Sequence, residues 1–140
     1  MIKIRACGID DCAVLARFNK QLIEDERNDN PMSVDELQDR MRQFISSEFR
    51  AFFFLAKRKI VGYALVKMDS MPLYLRQFFI CREHRRKGYG REAFAQLLAF
   101  FGADKMDIEV LQWNQAGIAF WKSLGFETRS LYMRFDKSQV

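Results

Sequence analysis

Apolar and polar residues alternate along the chain with two different periods, and these periods predict its elements. The opening stretch IKIRAC alternates apolar and polar side chains, as a half-buried strand does. Apolar residues then recur at helical spacing in two stretches, which predicts a helix capped by Asp10 that runs to about Glu26 and a second helix after Ser33. Ser33 and Glu36 have the S-x-x-E spacing of a capping box, which supports a helix start there.

The middle and the end of the chain favour strands that alternate with helices. AFFFLA and IVGYALVKM flank the short tip KRK and predict a hairpin, and LYLRQFFIC predicts a further strand. A helix with Phe94, Leu97 and Phe101 on one face follows, then a strand in KMDIEVL and a short helix closed by Gly125. The last stretch, FETRSLYMRF, is expected to be extended and to add one or two strands.

This order of elements predicts an α/β (α+β) fold built on one sheet. The expected sheet is mixed and mostly antiparallel, has six or seven strands, and carries about four helices on both faces. Neither a repeat nor a low-complexity tract nor a linker interrupts the sequence. We therefore expect residues 1–140 to form a single domain, a length that can close one core.

Composition narrows the class of protein further. Hydrophobic residues make up 49% of the chain and Phe occurs 14 times, which indicates a globular domain rather than a disordered one. The longest apolar run is too short to cross a membrane and the first residues lack the pattern of a signal peptide, so we expect a cytoplasmic protein without a membrane partner. Three cysteines without a C-x-x-C pair, and one histidine, predict no metal site.

The net charge of +5 favours an anionic partner, and a basic bend indicates where that partner binds. The stretch CREHRRKGYGREAF lies between a predicted strand and a predicted helix. The first amides of a helix have no partner within it, and Gly88 and Gly90 leave room for an anion beside them. Five cations surround this point, and the sequence therefore predicts a diphosphate site: Arg82, Arg85, Arg86, Lys87 and Arg91.

The basic bend is compatible with sites of other kinds. A solvated, charged loop with glycines at its end is the simplest of them. GYGREA also matches the glycine pattern of a dinucleotide-binding turn, but seven mostly polar residues separate Ile80 from Gly88, whereas that turn follows its strand directly. A P-loop is excluded because its G-x-x-x-x-G-K-[ST] pattern does not occur. Nucleic-acid binding needs charge spread along a face, and it remains a less favoured alternative.

Several segments resemble the GNAT N-acetyltransferase superfamily. RRKGYG fits the R/Q-x-x-G-x-G/A signature of that superfamily, with Arg85, Gly88 and Gly90 in the defining places. LRQFFI resembles its fourth strand, and NQAGIAFWKSLGF resembles a later segment in which an Asn precedes a short helix that ends in Gly-Phe. The predicted order of elements matches that fold over nearly the whole chain.

The resemblance implies acetyl-CoA as cofactor and acyl donor. The pantetheine arm would run beside the fourth strand, whose backbone at Phe78, Phe79 and Ile80 would pair with it like an added strand. Asn114 would contact the arm, and Trp121 would stand beside it. The diphosphate would lie on the loop before the third helix, which implies these binding residues: Arg85, Arg86, Lys87, Gly88, Tyr89, Gly90 and Arg91.

The catalytic residues stay unassigned at this point. Trp121 stands where many relatives have a tyrosine that acts as general acid, and an indole is no useful proton source. Arg76 and Gln77 occupy the strand where many relatives have a carboxylate. The candidates are therefore Glu109, Tyr132 and Trp121, with Asp107 and the acids Glu24 to Glu26 as further possible bases.

The resemblance thus implies an N-acetyltransferase that moves an acetyl group directly to a primary amine of an unidentified acceptor. A covalent route through Cys81 is ranked below direct transfer, because nothing ensures that His84 meets the thiol. The acceptor would be a small molecule or a peptide, and the acidic stretch EDERNDN suits a cationic amine. An acyl-CoA-binding sensor without turnover and a small nucleic-acid-binding domain are the alternatives, and a homodimer is compatible with the resemblance.

Overall fold

The computed structural model describes residues 1–139, and in it four helices pack on one five-stranded sheet. The strands are β1 (Ile2–Ala6), β2 (Phe49–Ala56), β3 (Lys59–Lys67), β4 (Leu73–Ile80) and β5 (Met106–Ile108). The helices are α1 (Cys12–Asp25), α2 (Val34–Ile45), α3 (Tyr89–Phe101) and α4 (Gln115–Ser123). Short 3-10 turns span Ile9–Asp11, Arg82–His84 and Lys137–Gln139.

The starts of the first two helices follow from their capping residues. In α2, the Glu36 amide donates to the Ser33 hydroxyl at 3.2 Å and the Ser33 amide donates to the Glu36 carboxylate at 2.9 Å, so the predicted capping box is confirmed. The N-cap of α1 is Asp11 rather than the predicted Asp10, because the 3-10 turn Ile9–Asp11 precedes the helix. The Asp11 carboxylate accepts the Gly8 amide at 2.9 Å and holds that turn closed.

The sheet has helices on both faces, as the sequence predicts. Its strand order is β1-β2-β3-β4-β5, with antiparallel pairs from β1 to β4 and one parallel pair between β4 and β5. Residues of α1 and α2 pack with Phe53, Tyr63 and Phe79 on one face, and residues of α3 pack with Phe52 and Phe54 on the other. The middle strands are apolar at consecutive positions because both of their faces are covered.

The predicted count of six or seven strands is wrong. Residues 127–136, which we call the C-terminal segment, form no strand in the described chain. Its large apolar side chains face solvent, with exposures of 80% for Leu131, 85% for Met133 and 81% for Phe135. An alternating segment becomes a strand only when an edge accepts its backbone and a core covers one of its faces, and neither condition is met here within residues 1–139.

Two irregularities of β4 shape the region where a ligand can enter. Leu65 of β3 pairs with Gln77, but the next residue of β3 pairs with Leu75, so Arg76 is the extra residue of a β-bulge. The parallel pairing with β5 covers only three residues of β4 and ends where Leu75 pairs with Ile108. The edge of β4 from Arg76 to Ile80 therefore has no strand beside it among the described residues. We call this opening the β4 gap.

No helix in residues 1–139 combines the length and the apolar character needed to cross a membrane.

Candidate functional site

The loop between β4 and α3 presents a row of free backbone amides. Gly88 is the N-cap of α3 and has a φ of 77°, a left-handed conformation that suits glycine. The Glu92 amide donates to the Gly88 carbonyl at 3.2 Å, whereas the amides of residues 86–91 have no backbone acceptor within residues 1–139. A Cβ placed on Gly88 would meet no atom within 4 Å. The loop thus offers unpaired donors and open space at a helix N-terminus, which we call the amide cradle (residues 86–91).

Two arginines before the cradle are tied to the end of α1. The Arg82 Nε donates to the Asp25 carboxylate at 2.9 Å, and Arg85 contacts the other oxygen of that carboxylate. Arg85 also donates its Nε to the Ile80 carbonyl at 2.8 Å. Burial by itself would raise the pKa of Asp25, but the hydrogen bonds from the two arginines outweigh it and hold that pKa below its usual range. Asp25 therefore fixes the path of the loop.

The remaining cations of the loop are placed differently. Arg86 and Lys87 are exposed, and neither forms an ion pair among residues 1–139. Arg91 donates to the hydroxyl of Ser123 on α4 at 3.2 Å. Tyr89 lies beside His84, with 6.4 Å between the ring centres. The predicted residues from Arg85 to Arg91 thus lie in the loop and the first turn of α3, and the charges of Arg86 and Lys87 have no ion-pair partner in the described chain.

Gly90 is needed for close packing rather than for an unusual backbone. A Cβ at this position would lie 3.1 Å from the Phe120 ring and 3.9 Å from Ile80. The second glycine of the signature therefore lets α3 approach α4 and the end of β4. The cradle and the β4 edge stay adjacent as a result.

Along the free edge of β4, every second backbone amide points into the β4 gap. Cys81 donates its amide to the carbonyl of Val61 on β3 at 2.7 Å. Because successive backbone groups of a strand point to opposite sides, the amides of Phe78 and Ile80 point away from β3 and into the gap. The side chain of Phe78 packs against Phe54 at 5.3 Å between ring centres, so side-chain packing and a free backbone coexist here. Phe79 has a buried side chain on the other face of the sheet.

Asn114 and Trp121 both have structural roles in α4. The Asn114 side chain is the N-cap and accepts the Gly117 amide at 3.0 Å. Trp121 packs at 5.1 Å from the Phe78 ring centre and at 5.5 Å from that of Phe94. Its indole N–H has no acceptor within residues 1–139. The amide nitrogen of Asn114 is likewise without a hydrogen-bond acceptor in the described chain, and it lines the cavity described next.

A cavity of about 290 Å³ lies between the end of α1 and the loop before α4. The Trp113 indole donates to the Glu26 carbonyl at 2.9 Å and joins the two walls. Burial, and then the charge of Asp25, raise the pKa of Glu26 above its usual range. The cavity therefore holds an acid that binds a proton more tightly than an exposed one. Its lining consists of Asp25, Glu26, Arg27, Trp113, Asn114, Gln115 and Ala116.

The other candidates of the sequence lie elsewhere. Glu109 is exposed beyond β5, and burial together with the nearby Glu109 carboxylate raises the pKa of Tyr74 to about 12. The hydroxyl of Tyr132 accepts a hydrogen bond from Arg134 at 3.4 Å in the exposed C-terminal segment. Cys81 is buried, and burial raises the pKa of its thiol to about 11, so the thiol is protonated at neutral pH.

The sequence did not reveal that Asp25 holds the loop before α3 or that Trp113 joins the walls of the cavity. Asp25 meets Arg85 across 60 positions of the chain, and no local pattern signals such a pair. Trp113 directly precedes the Asn114 cap. An aromatic residue next to a predicted helix start was the only sequence signal for its role in the cavity. No group of three or more metal-binding side chains occurs within residues 1–139.

Comparison with solved structures shows the same fold in several proteins. A protein described as a "possible acetyltransferase" from Clostridium difficile 630 superposes with a TM-score of 0.79 at 19% identity, covering 98% of this chain and 97% of that one. A predicted acetyltransferase with acetyl-CoA from Clostridium acetobutylicum has a TM-score of 0.74 at 13% identity, covering 100% and 99%. An aminoglycoside N-acetyltransferase in complex with CoA has a TM-score of 0.74 at 17% identity, covering 98% and 95%.

These identities are low, so the structural matches show the fold alone. No curated protein sequence matches the chain. The sequence model of the acetyltransferase (GNAT) family, however, matches residues 15–126, which is most of the chain. The matched range contains the amide cradle, the β4 gap and the Asn114 cap. The resemblance predicted from the sequence is thereby confirmed, and the chain belongs to the GNAT acetyltransferase family.

Proposed function

We propose that this protein is an N-acetyltransferase that uses acetyl-CoA to acetylate a primary amine. One observation carries the proposal, namely that the free amides of the amide cradle adjoin a strand edge without a neighbour in the described chain. A diphosphate fits the cradle because its donors, its open space and the charges of Arg86 and Lys87 all favour an anion. The structures of related fold that contain acetyl-CoA or CoA support this choice of donor.

The residues that would hold acetyl-CoA follow from this geometry. The cradle would take the diphosphate, and the β4 edge at Phe78 to Ile80 would bind the pantetheine amides as a neighbouring strand does. Asn114 has a free amide nitrogen for the same arm, and Trp121 borders it from the α4 side. When bound, acetyl-CoA supplies an acetyl group activated as a thioester. An amide of the β4 gap would donate to the oxygen that becomes negative during transfer.

Glu26 is the best-placed group to take a proton from the acceptor amine. It lines a cavity beside Asn114, and its raised pKa lies closer to neutral pH than that of an exposed glutamate. A base whose pKa approaches the working pH both binds and releases a proton efficiently. The buried, protonated thiol of Cys81 supports direct transfer to the amine over a covalent intermediate on that residue. Glu109 and Tyr132 do not line this cavity.

The acidic wall of the cavity also supports an amine acceptor. Glu26 forms no ion pair within residues 1–139, whereas Asp25 is paired with Arg82 and Arg85, and the Trp113 ring offers an aromatic surface on which an ammonium group can pack. Aminoglycoside acetyltransferases are among the proteins of similar fold, which is consistent with a small amine as acceptor. A small molecule or a peptide with a primary amine is accordingly the proposed acceptor class.

Titration calorimetry followed by a thiol-release assay tests the proposal. Acetyl-CoA should bind, and at least one amine of a broad panel should release CoA at a rate above that of the buffer. Acetyl-CoA binding without release on any amine would point instead to an acyl-CoA sensor. Absence of acetyl-CoA binding, together with salt-dependent binding to DNA or RNA, would favour a nucleic-acid-binding domain.

A homodimer is proposed as the working state. The C-terminal segment carries Leu131, Met133 and Phe135 at alternate positions and exposes them to solvent. Strand β5 has three residues and an outer edge that no strand covers within residues 1–139. A second copy of the chain supplies both missing parts, because the segment of each copy can lie along β5 of the other.

A further inference from the structure

A polar cluster lies under α1 and α2, on the face of the sheet opposite α3. The β-bulge directs Arg76 and Gln77 to this same face, where the Tyr63 hydroxyl donates to the Gln77 amide oxygen at 2.7 Å. Tyr63 and Gln77 are buried, and burial raises the pKa of Tyr63 well above its usual value. Glu26 and Arg40 both lie near enough to that hydroxyl to shift its pKa, in opposite directions.

Two arginines of this cluster converge on one aromatic ring without a carboxylate. The guanidinium carbon of Arg76 lies 4.9 Å from the Phe44 ring centre, and that of Arg40 lies 5.2 Å from it. Among residues 1–139, no carboxylate oxygen comes within 4.0 Å of either guanidinium. Burial, and then the charge of Arg76, lower the pKa of Arg40. The protein thus holds two like charges near each other.

Arg40 also has an unused donor. One of its terminal nitrogens donates to the Asn19 side chain at 3.2 Å, but its Nε is buried and has no acceptor within residues 1–139. Buried polar groups are almost always hydrogen-bonded, so an orphaned N–H in a cationic site indicates a missing acceptor. An anion that spans Arg40 and Arg76 would lie between the two charges, and it would satisfy the buried Nε once the Arg40 side chain turns that nitrogen toward it.

The cluster stands directly beside the β4 gap. Arg76 is the first residue of β4 beyond the pairing with β5, so it lies where the gap begins. Glu26 lies near enough to the Tyr63 hydroxyl to raise its pKa, and it lines the cavity proposed for the amine. No carboxylate is among the groups that shift the pKa of Arg40, so the positive charges of Arg40 and Arg76 stay uncompensated in the described chain. A carboxylate matches the planar fork of a guanidinium with two parallel hydrogen bonds, and it offsets one of the two charges.

We propose that Arg40 and Arg76 bind a carboxylate of the acceptor, so that the acceptor is an amine that also carries a carboxylate, as an amino acid does. This inference rests on the proposed acetyl transfer for the identity of the bound molecule. The anion site itself is independent of turnover, because it consists of groups that are present in the free protein. Arg40 supplies the buried Nε, and Arg76 supplies a second guanidinium at the mouth of the gap.

Anion binding is tested by following arginine Nε–H signals in nuclear magnetic resonance spectra. N-acetylglycine, a carboxylate without a free amine, is titrated into the protein, and the Arg40 signal is assigned from its loss in Arg40→Lys. We expect a saturable shift of that signal and an apparent Kd at least tenfold weaker in Arg76→Gln. Arg50→Gln is the matched control, because Arg50 also stacks on two rings, Phe52 and Phe100, and has no carboxylate partner in the described chain.

Three outcomes of this titration would overturn the inference. The first is an Arg40 signal that does not respond to N-acetylglycine. The second is an equal response in Arg76→Gln and Arg50→Gln, which would mean that Arg76 takes no part. The third is tighter binding of inorganic phosphate than of N-acetylglycine, which would assign the site to a different anion.

Assays of turnover then distinguish a failure of this inference from a failure of the proposed function. Amino acids are assayed beside the amines that lack only their carboxylate, with acetyl-CoA and thiol release as readout. We expect kcat/KM to fall at least tenfold on loss of the carboxylate, mainly through KM, and Arg76→Gln to abolish that difference. Equal turnover of both members of each pair would refute the carboxylate site and leave acetyl transfer standing. If no amine is acetylated but N-acetylglycine still shifts the Arg40 signal, the proposed function fails and the anion site stands.

Discussion

Gly88 offers the sharpest perturbation of the amide cradle, because Gly102 provides its matched control. The two glycines flank the same helix, α3, and both have left-handed backbones, with φ of 77° at Gly88 and 59° at Gly102. A Cβ at either position would meet no atom within 4 Å. Gly88→Glu and Gly102→Glu therefore introduce the same side chain with the same backbone strain of about 1–2 kcal/mol, and neither adds a steric clash.

The two variants differ in what the new carboxylate faces. A carboxylate at a helix N-terminus is stabilised by about 0.3–1 kcal/mol, and one at the C-terminus is destabilised by a similar amount. Gly88→Glu should thus be the more stable of the two in thermal denaturation. Its charge would, however, stand beside the bound diphosphate, where two like charges 4 Å apart repel by about 1 kcal/mol in water and about 4 kcal/mol at a protein surface.

This repulsion sets the expected loss of affinity. Because 1.4 kcal/mol corresponds to a tenfold change, Gly88→Glu should weaken acetyl-CoA binding by about fivefold to several hundredfold in titration calorimetry. Gly102→Glu should leave the Kd unchanged although it is the less stable protein. Equal Kd values in the two variants would refute the assignment of the cradle to the diphosphate. If the less stable variant, Gly102→Glu, lost more affinity for acetyl-CoA than Gly88→Glu, the assignment of the cradle to the diphosphate would be refuted as well.

Three further predictions follow from the site and its surroundings. The parent protein should lose kcat/KM as pH falls through the raised pKa of Glu26, and this acid limb of the pH profile should disappear in Glu26→Gln. The control variant Glu24→Gln, at an exposed position, should keep the acid limb. Because the pKa of Asp25 is lowered in the folded state, its carboxylate stabilises the fold above the unfolded pKa, and this stabilisation is lost as pH falls through the folded pKa. Asp25→Asn should accordingly lower Tm at neutral pH by an amount that shrinks in acid, and a difference that does not vary with pH would contradict the Asp25–Arg85 contact as its source. In sedimentation velocity the parent protein should be a dimer and the double variant Leu131→Asp, Met133→Asp a monomer, whereas Met71→Asp, at a side chain that is 95% exposed outside the segment, should stay dimeric; a parent protein that sediments as a monomer would exclude the dimer.

The spacing of hydrophobic residues correctly predicted the elements whose buried face can be read from their own sequence. The strands β2 and β3, and the stripe of Leu37 and Met41 on α2, lie where apolar spacing placed them. The C-terminal segment shows the limit of this approach. Its alternation is that of a strand, but a strand also needs an edge and a covered face, and other parts of the fold decide whether these exist.

In the site, too, features set by neighbouring residues were predictable from the sequence, whereas features set by contacts between distant residues were not. The amide cradle was predictable because a glycine, a helix start and free amides follow one another along the chain. The Asp25–Arg85 contact was not, because it joins residues that are far apart in sequence. The cluster around Arg40 and Arg76 depends on a β-bulge, and a bulge is a property of the register between two strands rather than of either sequence.

A crystal structure with bound CoA tests the central claim most directly. We expect diphosphate oxygens within about 2.7–3.2 Å of amides of residues 86–91, and a pantetheine arm alongside the edge of β4 from Phe78 to Ile80. A coenzyme bound elsewhere, with these amides facing solvent or covered by the ring of Tyr89, would contradict it.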